Sequence, residues 1–296
     1  MKVGTTAVTF TLIALISAGC VTNPATGRSQ LDLISTEEEI ALGAQAAPDL
    51  IKEYGGEVKS EPLKSYVRGI GGRIAALTEA DYPDLPWEFF VLDSDVINAF
   101  AIPGGKVFIS RGLMSYMENE AQLAAVLGHE IGHVVAQHVD ERLSRSMAAQ
   151  IGMEVIGGMS DSEFVNAGAA ILTQGTLLKF DRNQESEADR LGLKYIVAAG
   201  YDPQGMVEML EILVATSGGS SPPEFFSTHP NPEGRRDSIT ELIREDYGFA
   251  VNNPDYGGYQ QSWQENAAPH LPPPGGAGDG GNARRASDRR RERRGN

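Results

Sequence analysis

Two histidines and a glutamate form the pattern HEIGH at residues 129–133, inside the segment 118–139, whose apolar residues recur with helical period. On a helix, residues four apart lie about 40° apart around the axis and about 6 Å apart along it, so His129 and His133 can bind one metal ion. Glu130 then lies on the flank of that face, where a general base can reach a metal-held water. The pattern indicates a hydrolytic zinc site; the alternative is an amphipathic helix that carries two surface histidines.

The segment 181–195 offers candidates for the rest of the site. A zinc site needs at least a third protein ligand, and a catalytic one keeps a position open for water. Helical period places Glu185 and Asp189 one turn apart on one face. We expect Glu185 to be the third ligand and Asp189 to accept a hydrogen bond from the outer nitrogen of a ligating histidine, which fixes that histidine's tautomer. Alternatively, these acids belong to an ordinary solvated helix face.

The chain resembles the HtpX and CAAX prenyl protease family of HExxH metallopeptidases in several blocks of residues that occur in the same order. The blocks are Asn98-Ala99-Phe100-Ala101 with Pro103-Gly104-Gly105, the HExxH helix, Glu185-x-x-Ala188-Asp189, and Thr228-His229-Pro230 with Arg235. The resemblance implies that His129, His133 and Glu185 bind one Zn2+. It also implies that Glu130 is the base and that Asp189 assists. Together with the helical periods along the chain, it predicts an α+β, mostly helical fold of the zincin (gluzincin-like) type, with one small β-sheet beside the active-site helix.

The expected chemistry is hydrolysis of a peptide bond by a zinc-bound water, whose pKa the metal lowers to roughly 7 while Glu130 takes its proton. His229 is a further catalytic candidate, because its polar, proline-rich surroundings indicate a loop between helices. It either stabilises the oxyanion of the tetrahedral intermediate or, as the resemblance to periplasmic members implies, binds the metal and keeps the resting enzyme latent. An ordinary loop histidine is the alternative. On a continuous helix His138 points away from the metal, so we expect it to be structural.

Two apolar and aromatic runs, 86–94 and 98–112, predict the strands of the small sheet. An edge strand beside the metal would let an extended polypeptide add itself through backbone hydrogen bonds, with little demand on its side chains. In this interpretation Asn98 orients the substrate backbone. The alternative for Asn98 is local turn chemistry between strands.

The N-terminus indicates secretion. Lys2 precedes an apolar stretch, 7–19, that is too short to span a bilayer of ~30 Å and is typical of a signal peptide. Because Ser17-Ala18-Gly19-Cys20 resembles a bacterial lipobox, we expect a signal peptide at 1–19, lipidation at Cys20 and a lipidated tether over 20–34. Val21 after the cysteine favours the outer membrane. The alternative is a cytosolic protein with an uncleaved N-terminus.

Composition limits the remaining possibilities for chemistry, domain organisation and partners. Cys20 is the only cysteine, which excludes a disulfide framework and cysteine peptidase chemistry. We expect one metallopeptidase domain over 35–248 and a disordered tail over 249–296, in which we find no tetratricopeptide-like repeats. The Gly- and Ala-rich segment 151–178 predicts either a helix pair or a mobile flap over the cleft. A net charge of −15 argues against nucleic acid as a partner.

These observations predict a zinc-dependent endopeptidase on the periplasmic side of the cell envelope. Its expected partners are protein or peptide substrates, the membrane through the N-terminal lipid, and the envelope assembly machinery. Misfolded or stalled envelope proteins are the substrates that the resemblance implies. The alternative is a chaperone or binding lipoprotein whose zinc is structural, with His229 permanently completing four ligands.

Overall fold

The computed structural model describes residues 20–79, 82–173, 179–216, 224–230 and 232–274. The strands are β1 Cys20–Thr22, β2 Ser29–Leu31, β3 Glu88–Leu92, β4 Ala99–Ile102 and β5 Lys106–Ser110. The helices are α1 Thr36–Glu53, α2 Glu61–Ala75, α3 Arg111–Met114, α4 Glu120–Val135, α5 His138–Gln150, α6 Met153–Ile156, α7 Asp161–Leu172, α8 Arg182–Ala198, α9 Gln204–Thr216, α10 Phe225–Thr228, α11 Pro232–Asp246 and α12 Gln260–Asn266. The α+β, mostly helical fold expected from the sequence is confirmed.

The larger sheet has the strand order β3-β5-β4, with β3 parallel and β4 antiparallel to β5. The three-residue connection 103–105 joins β4 to β5, and its Gly104 and Gly105 have φ of 73° and 72°, left-handed values that glycine adopts without strain. Strand β4 lies at the sheet edge and packs against α4. A second, two-stranded sheet of β1 and β2 was not expected from the sequence.

Helix α4 carries the HEIGH pattern through the centre of the protein, and every one of its residues is buried. Small residues let α8 approach it at backbone distance. A Cβ on Gly132 would lie 2.7 Å from the carbonyl oxygen of Ala188, and a Cβ on Gly192 would lie 2.8 Å from the backbone nitrogen of His129. Since such distances are below normal van der Waals contact, the glycines are what allow the two helices to place their polar side chains in one buried site.

The active-site helix ends earlier than the expected segment 118–139. Helix α4 stops at Val135, and Gln137 adopts a left-handed conformation with φ of 54° before α5 begins at His138. The buried side chain of Asn23 donates to the carbonyl oxygen of Val135 at 2.8 Å and so satisfies one of the free carbonyls at the helix end. The turn changes the direction of the His138 side chain.

The segment 20–34 was expected to be an extended tether, but the described residues form the β1–β2 hairpin on the surface of the domain. Asn23 and Gln30 are buried in it, and their hydrogen bonds to the end of α4 explain why the segment is ordered. The expected signal peptide at 1–19 lies outside the described residues, as does the side chain of Cys20. Lipidation at Cys20 therefore stays a prediction.

The expected disordered tail also differs from the structure over residues 249–274. Helix α12 places Trp263 in the main core, where its side chain is 1% exposed, and Ala250 and Ala267 are buried beside it. Among the described residues, ordered structure therefore reaches from 20 to 274, beyond the expected bounds of 35–248. Burial of Trp263 explains why this segment is ordered, because one buried tryptophan contributes a large apolar area. The Asn, Pro and Gly residues around it in the sequence gave no sign of that contribution. Residues 275–296 lie outside the described part of the chain.

The segment 151–172 forms helices rather than an isolated flap. Helix α7 packs on α1 and buries Phe164 and Leu172 in a second apolar cluster. The remainder of this segment, 174–178, is outside the described residues. None of the described helices combines the length and apolar character that a bilayer crossing requires.

Candidate metal centre

Four buried side chains converge between α4, α8 and α10. His129 and His133 come from one face of α4, Glu185 from the first turns of α8, and His229 from the residue after α10. One ligand atom from each lies within 4.8 Å of the other three, and all four residues are 0% exposed. Among the described residues this is the only such cluster of His, Cys, Asp or Glu.

The separations of these atoms fit a single small cation. Nε2 of His129 lies 3.1 Å from Nε2 of His133 and 3.3 Å from Nδ1 of His229. Oε1 of Glu185 lies 3.3 Å from Nε2 of His133. Four ligands at about 2.0–2.1 Å from a tetrahedral zinc ion stand about 3.3 Å apart, so both the donor types and their spacing suit zinc.

Glu130 faces the cluster without joining it. Neither of its carboxylate oxygens has a hydrogen-bond partner among the described residues, and Oε1 lies 3.6 Å from Nε2 of His229. Complete burial raises the pKa of Glu130, and the nearby His229 and His129 oppose that rise. A buried carboxylate with free oxygens and a raised pKa is suited to taking up a proton.

Asp189 lies behind the first histidine. Its Oδ1 accepts from Nδ1 of His129 at 2.9 Å, which leaves Nε2 of that ring free to face the cluster. Arg235, 5% exposed, donates to both oxygens of Asp189 at 2.6 and 2.8 Å and also pairs with Glu185. Burial alone raises the pKa of both acids, but the Arg235 guanidinium, together with His229 at Glu185, holds each pKa below its ordinary value.

The sequence blocks included Arg235 but gave it no role. A lone arginine in a polar, proline-rich stretch carries little signal for burial, because Arg is usually exposed. Its pairing partners come from α8, which is distant in sequence. In the sequence, the spacing from His229 to Arg235 was the one available indication that Arg235 belongs to the site.

His138 contacts the site, a contact that the sequence alone did not indicate. Its Nδ1 lies 2.8 Å from Nδ1 of His133, and its Nε2 lies 2.9 Å from Oε2 of Glu187. As expected, His138 is not in the four-residue cluster. It lies instead on the far side of the His133 ring, a position made by the left-handed turn at Gln137. Burial lowers the pKa of both His133 and His138.

His229 is not in an open loop. Its ring stacks on Phe225 with centroids 4.2 Å apart, and its backbone nitrogen donates to the Phe225 carbonyl at 2.7 Å. Phe180 stacks on His133 at 3.8 Å and donates its backbone N–H to Thr228. Burial by itself lowers the pKa of His229, but the carboxylates of Glu185 and Glu130 outweigh it and the pKa lies above its ordinary value.

Asn98 immediately precedes the edge strand β4 rather than a turn. It is buried, and its backbone pairs with Ser110. Its Nδ2 donates to the hydroxyl of Tyr54 at 3.1 Å and to Glu224 at 3.2 Å, while its Oδ1 has no partner among the described residues. Local turn chemistry does not account for these contacts, since both side-chain partners are distant in sequence.

Comparisons with known proteins agree on one family. A model described as Peptidase family M48 matches residues 63–243. The beta-barrel assembly-enhancing protease of Escherichia coli K12 is 34% identical over 249 residues, which is 76% of this chain and 50% of the relative. The mitochondrial metalloendopeptidase OMA1 of Schizosaccharomyces pombe is 32% identical over 250 residues, 81% of this chain and 70% of the relative. The chain thus spans about half the length of the bacterial relative.

Proposed function

The chain belongs to peptidase family M48, and from that premise we propose that it is a zinc-dependent endopeptidase of the cell envelope. The membership confirms the family expected from the sequence blocks, and the relatives' names describe a protease in one case and a metalloendopeptidase in the other. The observation that carries the proposal is the convergence of four buried donor atoms within 4.8 Å, beside a carboxylate that has no partner among the described residues.

In this proposal His129, His133 and Glu185 hold one zinc ion. When bound, zinc supplies a Lewis acid that lowers the pKa of water to roughly 7 and polarises a carbonyl group. Glu130 accepts the proton of the attacking water and returns it to the leaving amine. Asp189 keeps His129 in the tautomer whose Nε2 faces the metal, and Arg235 keeps Asp189 ionised.

His229 has two candidate roles, and its position supports latency. Its Nδ1 lies among the four converging donors, 2.9 Å from Oε1 of Glu185. A histidine there fills the position that a catalytic site leaves to water, so we propose that the resting enzyme is latent until the segment 224–229 moves. After that movement the same imidazole can stabilise the oxyanion of the tetrahedral intermediate.

The proposed substrates are misfolded or stalled envelope proteins, bound in extended form along β4. Two observations support this: β4 lies at the sheet edge beside α4, and Asn98 presents a buried amide at its start. The lipobox at Cys20 supports anchorage on the periplasmic side of the envelope, with the outer membrane as the proposed site. The name of the bacterial relative supports assembly machinery as a partner.

One observation favours the rival function, a chaperone or binding lipoprotein with structural zinc. All four donors are fully buried, as in a closed site. The test compares metal content and casein cleavage in wild type, Glu130→Gln and His270→Leu, a control at an exposed histidine outside the cluster. We expect one zinc per chain in all three and cleavage in wild type and His270→Leu only. Cleavage that survives both a chelator and Glu130→Gln overturns the proposal.

A further inference from the structure

We infer that His138 is a positioning residue for this reaction: with Glu187 and Arg28 it fixes the tautomer and orientation of His133 and connects that metal ligand to the N-terminal hairpin. The inference rests on the proposed metal centre and goes beyond it, because it assigns a role to three residues outside the donor set. Four observations carry it: a directional chain of hydrogen bonds, its burial, the turn that forms it, and its contrast with the other histidine.

The chain of hydrogen bonds has only one consistent direction. Nε2 of His133 faces the donor cluster and needs a free lone pair, so the ring proton lies on Nδ1. Nδ1 of His138, 2.8 Å away, must then accept a hydrogen bond from that N–H. The proton of His138 therefore lies on Nε2, from which it donates to Oε2 of Glu187 at 2.9 Å. The metal at one end and the carboxylate at the other define both tautomers.

Burial of the two rings makes any other pair of tautomers unfavourable. His133 and His138 are both 0% exposed. If His138 took its other tautomer, two N–H groups would face each other and Glu187 would lose its donor. A buried polar group without a partner costs roughly 1–3 kcal/mol, so the alternative is strongly disfavoured. Phe180, stacked on the His133 ring, further restricts its rotation.

The N-terminal hairpin maintains the turn that brings His138 to this place. Gln137, left-handed at the break between α4 and α5, accepts from Gln30 at 2.6 Å and donates to Asp32 at 3.0 Å. The same hairpin supplies Arg28, whose Nε lies 3.4 Å from Oε2 of Glu187 and whose Nη1 donates to Glu141 at 2.7 Å. The chain of contacts from His133 through His138 and Glu187 to Arg28, called the relay below, therefore ends on the segment that begins at Cys20.

The two ligating histidines are oriented by different means. His129 bonds directly to a carboxylate, Asp189, which is itself held by Arg235. His133 reaches its carboxylate only through His138, and that carboxylate is held by Arg28. Both chains thus end on a carboxylate paired with an arginine, although the chain from His133 passes through a second imidazole. The relay through His138 differs in that its last member belongs to the hairpin rather than to the catalytic core.

The test measures zinc affinity of the full chain by chelator competition. Substitutions in groups that orient a metal ligand weaken affinity about 10- to 100-fold, and we expect such a loss in His138→Leu. His138→Asn keeps an acceptor oxygen near the position of Nδ1 and should recover most of the affinity. Glu187→Gln should weaken binding less than His138→Leu. The matched control is His270→Leu, a histidine that is exposed and outside the cluster.

A proton spectrum of the zinc-loaded protein gives a second readout. We expect a slowly exchanging imidazole N–H at Nδ1 of His133 in wild type and His138→Asn, and its loss in His138→Leu. Retention of both that signal and wild-type affinity in His138→Leu overturns the inference. Should His138→Leu fail to fold, Glu187→Gln decides: affinity equal to that of wild type overturns the inference.

Failure of the proposed function gives a different pattern. If wild type binds no stoichiometric zinc, or if His133→Ala leaves affinity unchanged, the metal centre itself is wrong. If wild type binds zinc and His133→Ala loses it while the His138 and Glu187 variants bind normally, only the relay is wrong.

Discussion

Nδ2 of Asn98 lies 3.2 Å from Oε1 of Glu224, and both side chains bond to the hydroxyl of Tyr54. Asn98 immediately precedes the edge strand, and Glu224 immediately precedes α10, which leads to His229. The backbone of the next residue, Phe225, also donates to the carbonyl of Ile97 at 3.2 Å. The segment that places His229 at the metal centre is therefore fastened where we propose that substrate begins to bind.

Removing the hydrogen bonds of Glu224 should raise the rate of proteolysis. Glu224→Ala deletes the hydrogen bonds to Asn98 and Tyr54, and a loss of about 1 kcal/mol shifts the closed-to-open ratio about fivefold. We expect a severalfold higher initial rate of casein cleavage at low substrate. Glu233→Ala, an exposed acid in α11, serves as the control. Equal rates in the two variants would exclude Glu224 as a latch.

His229→Ala separates latency from oxyanion stabilisation. If His229 occupies the metal in the resting state, its removal raises activity at low substrate, and this is the outcome we expect. An oxyanion role lowers kcat and kcat/KM alike by about 10²–10³, so the rise at low substrate appears only where the gain from opening the site exceeds that loss. Steady-state kinetics over a wide range of substrate concentration measures both effects. Unchanged kinetics at both ends would contradict both roles.

Arg235→Ala should be strongly destabilising. Removing one partner of a buried ion pair costs about 3–5 kcal/mol, and here two carboxylates, Asp189 and Glu185, lose their counter-charge. Thermal unfolding measures the loss. Arg235→Lys should recover only part of it, because lysine cannot reproduce the bidentate contact. Arg236→Ala, at the neighbouring position, where the side chain is 39% exposed, should change little. A similar loss in both variants would contradict a special role for the buried Arg235.

The buried carboxyl group of Glu39 should make the stability of the protein depend on pH. Burial raises its pKa to about 7 from an ordinary 4.5. Burial also raises the pKa of Asp140 well above its ordinary value. A raised folded-state pKa of an acid contributes stability that is complete below 4.5 and is lost as pH rises toward 7. At about 1.4 kcal/mol per pKa unit, Glu39 costs up to about 3 kcal/mol at neutral pH.

Glu39→Gln should therefore stabilise the protein at pH 7 and flatten its unfolding free energy between pH 4.5 and 7. The amide can still accept from the Gly104 backbone N–H, which now donates to Glu39 at 3.0 Å. Denaturant unfolding at several pH values measures the effect, with the exposed Glu37→Gln as control. A pH dependence as steep as that of wild type would contradict the assignment.

Trp263 tests whether residues 249–274 belong to the folded domain. Trp263→Ala should lower the free energy of unfolding by about 3–5 kcal/mol, as for a fully buried aromatic side chain. Phe249→Ala provides a matched control in the same segment, because Phe249 is 59% exposed while Trp263 is 1% exposed. Denaturant unfolding compares the two. Equal effects would mean that α12 is not part of the cooperative unit.

The chemistry-bearing residues could be named from the sequence because helical period alone sets their local geometry. His129 and His133 share a face through their spacing of four, and Glu185 and Asp189 do so for the same reason. The fold class followed from the periodic segments together with the family resemblance. Segment ends were less well predicted, as at Val135, because the signal that ends α4 is a hydrogen bond from the distant Asn23.

The sequence by itself determined the donor types, their pairing within each helix and the kind of reaction they can support. Only the tertiary structure decided which side chains meet: His229 at the donor cluster, Arg235 on two carboxylates, and His138 behind His133. The physical reason is that those contacts join segments far apart in the chain. They depend on how closely the glycines of α4 and α8 let the helices pack, which no local pattern of residues specifies.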